Sequence, residues 1–325
     1  MSLLPEKKTV PKQNFHEYTK VFYGAPGSGK TSVAAQNPNA VFIMFEDGIA
    51  GHSVFAINIP RIAKKQGKMR WVVFLDVVEE LLTEDHNFNE VIIDTGDRAI
   101  DACADYTKEM EGIDNLSQKS FGAAWRDLFK YFKKPIEKLK MSELGFTLIS
   151  HGKLKEVTDI QGRTHDKLVA NMTGQSGQWI IDEADIVLLF DVDDDDNRMM
   201  RVEATKNFDA KQRIKFPDGD IPMGKNEKEA YKNLIDSFEN AVKQRNKELG
   251  ITKEQIKEYY QDLEEFKSKK SFKDLINDIA AKCQELGLSK KDNAKEMKEK
   301  YGTPSLGKLT YEQAQDRVEE LKGRL

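Results

Sequence analysis

Five short apolar runs punctuate the first two thirds of the chain: Tyr18–Tyr23, Val41–Phe45, Val91–Ile93, Gly145–Ser150 and Ala184–Phe190. They lack the strict alternation of a half-exposed strand and fit strands buried on both faces. Between them the period changes to that of helices. A short one over 31–36 is stopped by Asn37-Pro38-Asn39, a second spans 98–110, and a third spans 122–141. In the third, Trp125, Leu128, Phe129, Phe132, Ile136 and Leu139 share one face, which assigns Trp125 and Phe129 to the core rather than to a base-stacking platform. Pro135 predicts a kink there. Trp71–Leu75 predicts one more strand, although Asp76–Leu82 behind it has helical spacing, and residues 49–70 show no regular period.

Residues 152–180 predict a β-hairpin turning at Gln161-Gly162, then a mobile polar loop from Asn171 to Gln178. Asp191–Asn197 turns the fifth run back into an antiparallel strand over Met199–Thr205. Its acids Asp193–Asp196 fit a solvated tip that blocks edge pairing better than a cation site. Past residue 225 the pattern is purely helical. Glu227–Leu249 is long and charged, with Ala230, Leu234, Ile235, Phe238 and Val242 on one face. Helical stretches over 253–267, 272–286, 289–301 and 310–321 follow, punctuated by Gly287 and Gly302. The expected fold class is α/β, a core with a mostly parallel sheet, followed by a small all-helical C-terminal region. The expected division is a lead-in or subunit clasp over 1–17, the sheet-bearing domain over 18–225, a connecting helix over 226–251 and a helical interaction module over 252–325.

Composition narrows the setting. The 325 residues are 39% hydrophobic and 33% charged with a net charge of −4, a pattern of globular chains with a charged surface. Nucleic-acid contact must then be a local patch rather than a global attraction. Two cysteines, Cys103 and Cys283, make neither a disulfide framework nor a zinc motif, which fits a reducing cytoplasm. No apolar run approaches the length of a membrane span, and Met1–Lys12 is too polar for a secretion signal.

Chemistry concentrates in Gly24-Ala25-Pro26-Gly27-Ser28-Gly29-Lys30-Thr31, a full phosphate-binding loop between a strand and a helix. Its glycines let successive N–H groups turn inward on phosphate oxygens. Lys30 supplies a cation to the β/γ-phosphates, Thr31 a hydroxyl for Mg²⁺, and Ser32 continues the cradle into the helix. The bland alternative, a glycine-rich turn, does not explain Lys-Thr at that place. Asp94 ends an apolar strand in the manner of a Walker B acid, a metal role that outweighs a helix cap here, and Asp97 is placed to share that work. His151 follows the next strand, as a γ-phosphate sensor or as a structural hydrogen-bonder. Lys153, Lys155, Arg163 and Lys167 make the hairpin basic, either as a grip for a nucleic-acid backbone or as a solvated face. Lys206, Lys211 and Arg213 follow the antiparallel strand near the expected ligand edge, as cations for a neighbour's γ-phosphate or as surface charge.

Taken together, Gly24–Thr31, the Asn-Pro break, Phe45-Glu46-Asp47-Gly48, Val91–Asp94, Ile149-Ser150-His151 and Ala184–Val187 resemble phage-encoded RecA-like ATPases. The chain is similar to the Sak-type single-strand annealing group and its phage nucleotide-binding relatives over residues 18–215. The resemblance implies ATP and Mg²⁺ as cofactors, with Glu46 as the base that activates water, Asp94 as the Walker B acid and His151 as the sensor. It also implies hairpin 152–178 as a single-stranded DNA contact, and a homo-oligomer with ATP between subunits. Residues 285–322 look like helical tails of phage recombination proteins, which implies a single-strand-binding protein or another recombination partner. Two other functions remain open from residues alone: a P-loop small-molecule kinase, for which no arginine-bearing lid is evident, and a non-hydrolysing adaptor that recruits through its tail.

Overall fold

The computed structural model describes residues 8–325 except 47, 49–50, 143, 173, 194 and 269–271; the expectation on Asp47 therefore lies outside the described residues. It separates into two compact units, one over Pro11–Gly250 and one containing Ile251–Leu325.

In the first unit a mixed sheet runs β10-β8-β7-β1-β5-β4-β2-β3. Six of these strands are parallel: β1 (Thr19–Gly24), β2 (Ala40–Met44), β3 (Phe55–Asn58), β4 (Glu90–Asp94), β5 (Gly145–Thr158) and β7 (Ile186–Val192). Antiparallel pieces complete it: β6 (Thr164–Ala170) on the far half of β5, β8 (Arg198–Arg201) and β9 (Lys211–Gln212) on β7, and β10 (Ile221–Pro222) on β8. Every residue of β1, β2 and β4 is buried, as expected for strands covered on both faces. Alternate residues feed two cores. Val21, Tyr23, Val41, Ile43, Val91 and Ile93 meet α2 (Ile59–Gln66), α3 (Arg70–Thr83), α4 (Gly96–Glu111), α5 (Ala123–Met141) and α6 (Gly174–Glu183). Phe22, Phe42, Met44 and Ile92 meet α1 (Lys30–Ala34) and α7 (Glu227–Leu249).

Several elements differ from the sequence expectation. Trp71–Leu75 is not a strand but the first turns of α3, whose buried Trp71, Phe74, Val78 and Leu81 follow a 3–4 spacing. A five-residue apolar run fits either period, and the continuation to Thr83 decides it. The irregular 49–70 contains β3 and α2, the latter capped by Asn58, which accepts from the Arg61 N–H at 2.9 Å. Asn171–Gln178 is not a loop throughout: α6 begins at Gly174. Trp125 stands 47% exposed while Phe132 is buried, so the aromatic stripe of α5 is only partly core. Instead of merely connecting two parts, α7 lays Ala230, Leu234, Phe238 and Val242 into the second core of the sheet.

At the amino ends of the central strands sits a buried ion pair. Lys20 has no exposed surface; its Nζ lies 3.2 Å from Glu90 Oε1 and donates to the Phe15 and Tyr18 carbonyls at 3.0 and 2.8 Å. Glu90 also accepts from Asn37 at 2.8 Å and from the Thr147 hydroxyl. Burial holds the Lys20 ammonium below its usual pKa and the Glu90 charge opposes that shift.

The second unit holds α8 (Lys253–Ser268), α9 (Phe272–Glu285), α10 (Lys290–Tyr301) and α11 (Tyr311–Lys322), and the last three supply a core that includes Leu275, Ile279, Met297, Ala314, Val318 and Leu321. Thr310 and Gln313 form a capping box at the start of α11. Arg317, 1% exposed, is matched by Asn293, Glu296 and Glu320.

Removing one partner of a buried pair leaves an uncompensated charge, so Glu90→Gln or Lys20→Ala should each lower unfolding free energy by about 3 kcal/mol or more. The joint Lys20→Met/Glu90→Gln change should recover much of that loss. Urea unfolding checks it, and single-variant losses under about 1 kcal/mol would show that neither charge is left uncompensated when its partner is removed.

Candidate nucleotide site

β1 ends in the loop, and the neighbouring strands leave no space there for a side chain. Gly24 has φ +148°, and a Cβ on it would run into the Phe190 carbonyl; one on Gly152 would stand 3.3 Å from the Gly24 backbone. Gly27 and Gly29 follow at φ +76° and +98°, the left-handed geometry that curls main-chain N–H groups inward. Ala25, Pro26 and Gly27 form the exposed crown, and Ser28 sits half-buried beneath it. Lys30 opens α1 and is buried. Its Nζ donates to the Gly24 and Ala25 carbonyls at 3.0 and 2.8 Å and lies 3.3 Å from Ser28 Oγ. Burial lowers its pKa; the charges of Asp94, Asp97 and Glu46 act in the opposite direction. Ser32 points its hydroxyl at His52, 3.3 Å away.

Parallel register brings the acids to the same edge. β5 separates β1 from β4, with His151 beside Gly24 and Ile149 beside Asp94. Thr31 donates its hydroxyl to Asp94 Oδ2 at 2.8 Å across that gap. Asp94 is 3% exposed, and burial pushes its pKa up to about 6; Glu46 pushes the same way, and the Thr31 hydrogen bond, Lys30 and His151 push back. The Phe45 N–H bonds the Asp94 carbonyl at 2.8 Å, which carries Glu46 just past the strand end. Glu46 lies 3.6 Å from Arg98 Nε and 3.8 Å from His151 Nε2, while His151 Nδ1 pairs with Asp97 Oδ2 at 3.0 Å. With Asp97 accepting at Nδ1, the Nε2 side of the imidazole faces Glu46. Asp97 orients His151 through that contact, and its other oxygen is buried without a hydrogen-bond partner, as is Thr95 Oγ1.

Among the described residues no group of three or more His, Cys, Asp or Glu could hold a metal alone. Thr31 and Asp94 offer two oxygens, so a cation there needs phosphate oxygens to complete its shell, the habit of Mg²⁺. A buried carboxylate whose pKa is raised suits such an ion.

The hairpin cations do not act as one patch. Arg163 pairs with Asp159 at 2.9 Å and Lys167 with Asp209 at 2.6 Å. Lys153 and Lys155, with no ion-pair partner among the described residues, line a cavity of about 710 Å³ floored by Tyr23, Met172 and Val187. The expectation that Lys206, Lys211 and Arg213 lie at the ligand edge is corrected for two of them. β9 pairs Lys211 with Val187, near the start of β7, and the Lys211 ammonium caps the carbonyl of Asp182 at 2.6 Å. Arg213 binds Asp185 at 3.2 Å. Both face away from the loop because β9 joins β7 at its opposite end; Lys206 is exposed, and its carbonyl contacts His165 at 2.9 Å. Sequence reading missed Arg198, whose Nη2 donates to the Gly27 carbonyl at 2.5 Å. A lone arginine starting a short strand carries no motif to reveal it.

Because its folded pKa of about 6 exceeds the ordinary aspartate value of 3.8, Asp94 costs stability above pH 6 and none below about pH 3.8. Asp94→Asn should therefore unfold later than the parent at pH 8, by up to about 3 kcal/mol, with the gain vanishing near pH 4. Thermal melts at the two pH values check it, and an equal or lower stability at pH 8 would refute the burial cost.

Residues 16–214 match the family model described as "AAA domain", more than half of the chain. No curated protein matches the chain. The matched segment runs from just before β1 to just past β9 and so holds the loop, both strand-end acids and the histidine: the chain belongs to the AAA domain family of P-loop ATPases.

Proposed function

We propose that the protein binds and hydrolyses ATP with Mg²⁺ and uses the cycle to grip single-stranded DNA in phage recombination or replication. The observation that carries the reading is the convergence of Lys30, Thr31, Asp94, Glu46 and His151 at one sheet edge, with β5 continuing unbroken from His151 into the basic hairpin. Thr31 and Asp94 would hold Mg²⁺, which neutralises phosphate charge when bound. Lys30 lies where β- and γ-phosphate charge develops. Glu46 accepts a proton from, and aligns, the attacking water. His151, fixed by Asp97, reports on Glu46 from a strand that leads within two residues to Lys153. Subunits would share the nucleotide, with an exposed cation such as Lys206 facing a neighbour, and the helical module would recruit a partner such as a single-strand-binding protein.

Lys30→Ala should abolish ATP binding or turnover, and Glu46→Gln should keep binding while reducing hydrolysis by at least about 100-fold. Full turnover by the Glu46→Gln protein would remove it as the base. Single-stranded DNA should raise the ATPase rate at low salt and less so at high salt. In Lys153→Ala/Lys155→Ala the DNA response should fall while the rate without DNA holds. A phosphate-release assay at two salt concentrations measures both, and a parent rate indifferent to DNA, with no DNA binding, would defeat the DNA half of the reading.

A further inference from the structure

The edge of the sheet beyond β7 touches the phosphate loop at two points. Arg198 donates to the Gly27 carbonyl across 171 positions of sequence. The Arg198 main-chain carbonyl in turn accepts the Met223 N–H at 2.9 Å, and the buried Met223 places its methyl 2.7 Å from where a Cβ on Gly29 would stand. Gly224 then turns at φ +67° and Asn226 caps α7, accepting from the Glu229 N–H at 3.0 Å. These residues, with the loop and the start of α1, enclose a half-open cavity of about 380 Å³. The cavity is lined by Gly27, Gly29, Lys30 and Thr31 of the phosphate cradle and, flanking it, by Arg198, Met223 and Asn226; Asp94, Glu46 and His151 do not line it. A triphosphate fixed at Gly27–Thr31 must extend its nucleoside somewhere, and this is the space continuous with the cradle. The wall chemistry suits a flat heterocycle: a planar guanidinium packs on an aromatic face, and a thioether is a polarizable apolar contact.

We propose that this cavity takes the nucleoside half of the bound nucleotide and that Arg198 is its recognition residue, with the guanidinium packed on the base. The proposal rests on the nucleotide-binding reading above and is independent of DNA. It makes Arg198 a binding residue contributed by the same chain as the loop.

Titration calorimetry of the full chain with ATP and with inorganic tripolyphosphate, each with Mg²⁺, separates the two halves of the ligand. Arg198→Ala should weaken ATP binding roughly tenfold, the scale of one desolvated cation–π contact. Its tripolyphosphate affinity should equal that of the parent, which also reports an intact loop. Arg198→Lys, which keeps a charge and a donor for the Gly27 carbonyl but has no plane to stack, should fall between the parent and the alanine variant. Equal weakening toward both ligands would overturn the assignment by placing Arg198 on the phosphates or on loop geometry. Unchanged ATP affinity, or full ATP affinity in the lysine variant, would overturn it as well. A parent that binds tripolyphosphate as tightly as ATP would leave phosphate binding standing and remove the nucleoside site. A parent that binds neither would overturn the nucleotide reading and this one with it.

Discussion

The site depends on a crowded point where β1 runs out between β5 and β7. A side chain at residue 24 would collide with the Phe190 carbonyl on one side, while Gly152 presses its backbone close on the other. The chain escapes only by a glycine at positive φ, and two more glycines complete the curl. That curl sets where Lys30 begins its helix and hence where Thr31 meets Asp94. The same crowding ties the loop to its flanking strands, so what moves β5 or β7 is felt at the phosphate cradle.

The two ends of the sheet treat charge differently. At the amino ends Lys20 and Glu90 are buried but matched, with Asn37, Thr147 and two main-chain carbonyls filling the remaining hydrogen bonds. At the carboxyl ends Asp94 is buried on a hydroxyl, with Lys30 and His151 on one side of its charge balance and Glu46 on the other, and Asp97 keeps one oxygen without a hydrogen-bond partner. A fold built only for stability would have paired these as it paired Lys20. The imbalance is of the kind that perturbed groups at functional sites show.

Most of the fold was legible because its central strands are buried on both faces and so appear as unbroken apolar runs. Lys30, Thr31 and Asp94 were legible because a loop motif and strand ends fix position by themselves. The failures share a cause. Trp71–Leu75 is too short to reveal its period, and α6 hides behind Gly174, Gly177 and polar neighbours. Trp125 obeys helical spacing with the core yet faces outward, because spacing gives a side and not what covers it. Arg198 and Asp97 act through contacts across the sheet or from the turn after a strand, and a linear pattern does not encode which side chain they meet. Lys211 and Arg213 were misplaced because the sequence does not show at which end of β7 the returning chain pairs.

The length of β5 has a mechanical meaning. It is a single strand of fourteen residues in which His151 is the seventh, so half of it stands beyond the nucleotide edge. Seven residues of strand span about 23 Å at roughly 3.3 Å each. Braced along its length by β6, that half is a two-stranded arm, and the imidazole stands at its root. A rotation of about 5° at that root carries the hairpin tip through about 2 Å over that arm. A displacement too small to repack the core around Asp97 and Glu46 would thus become, at the far end, a shift comparable with a hydrogen-bond length.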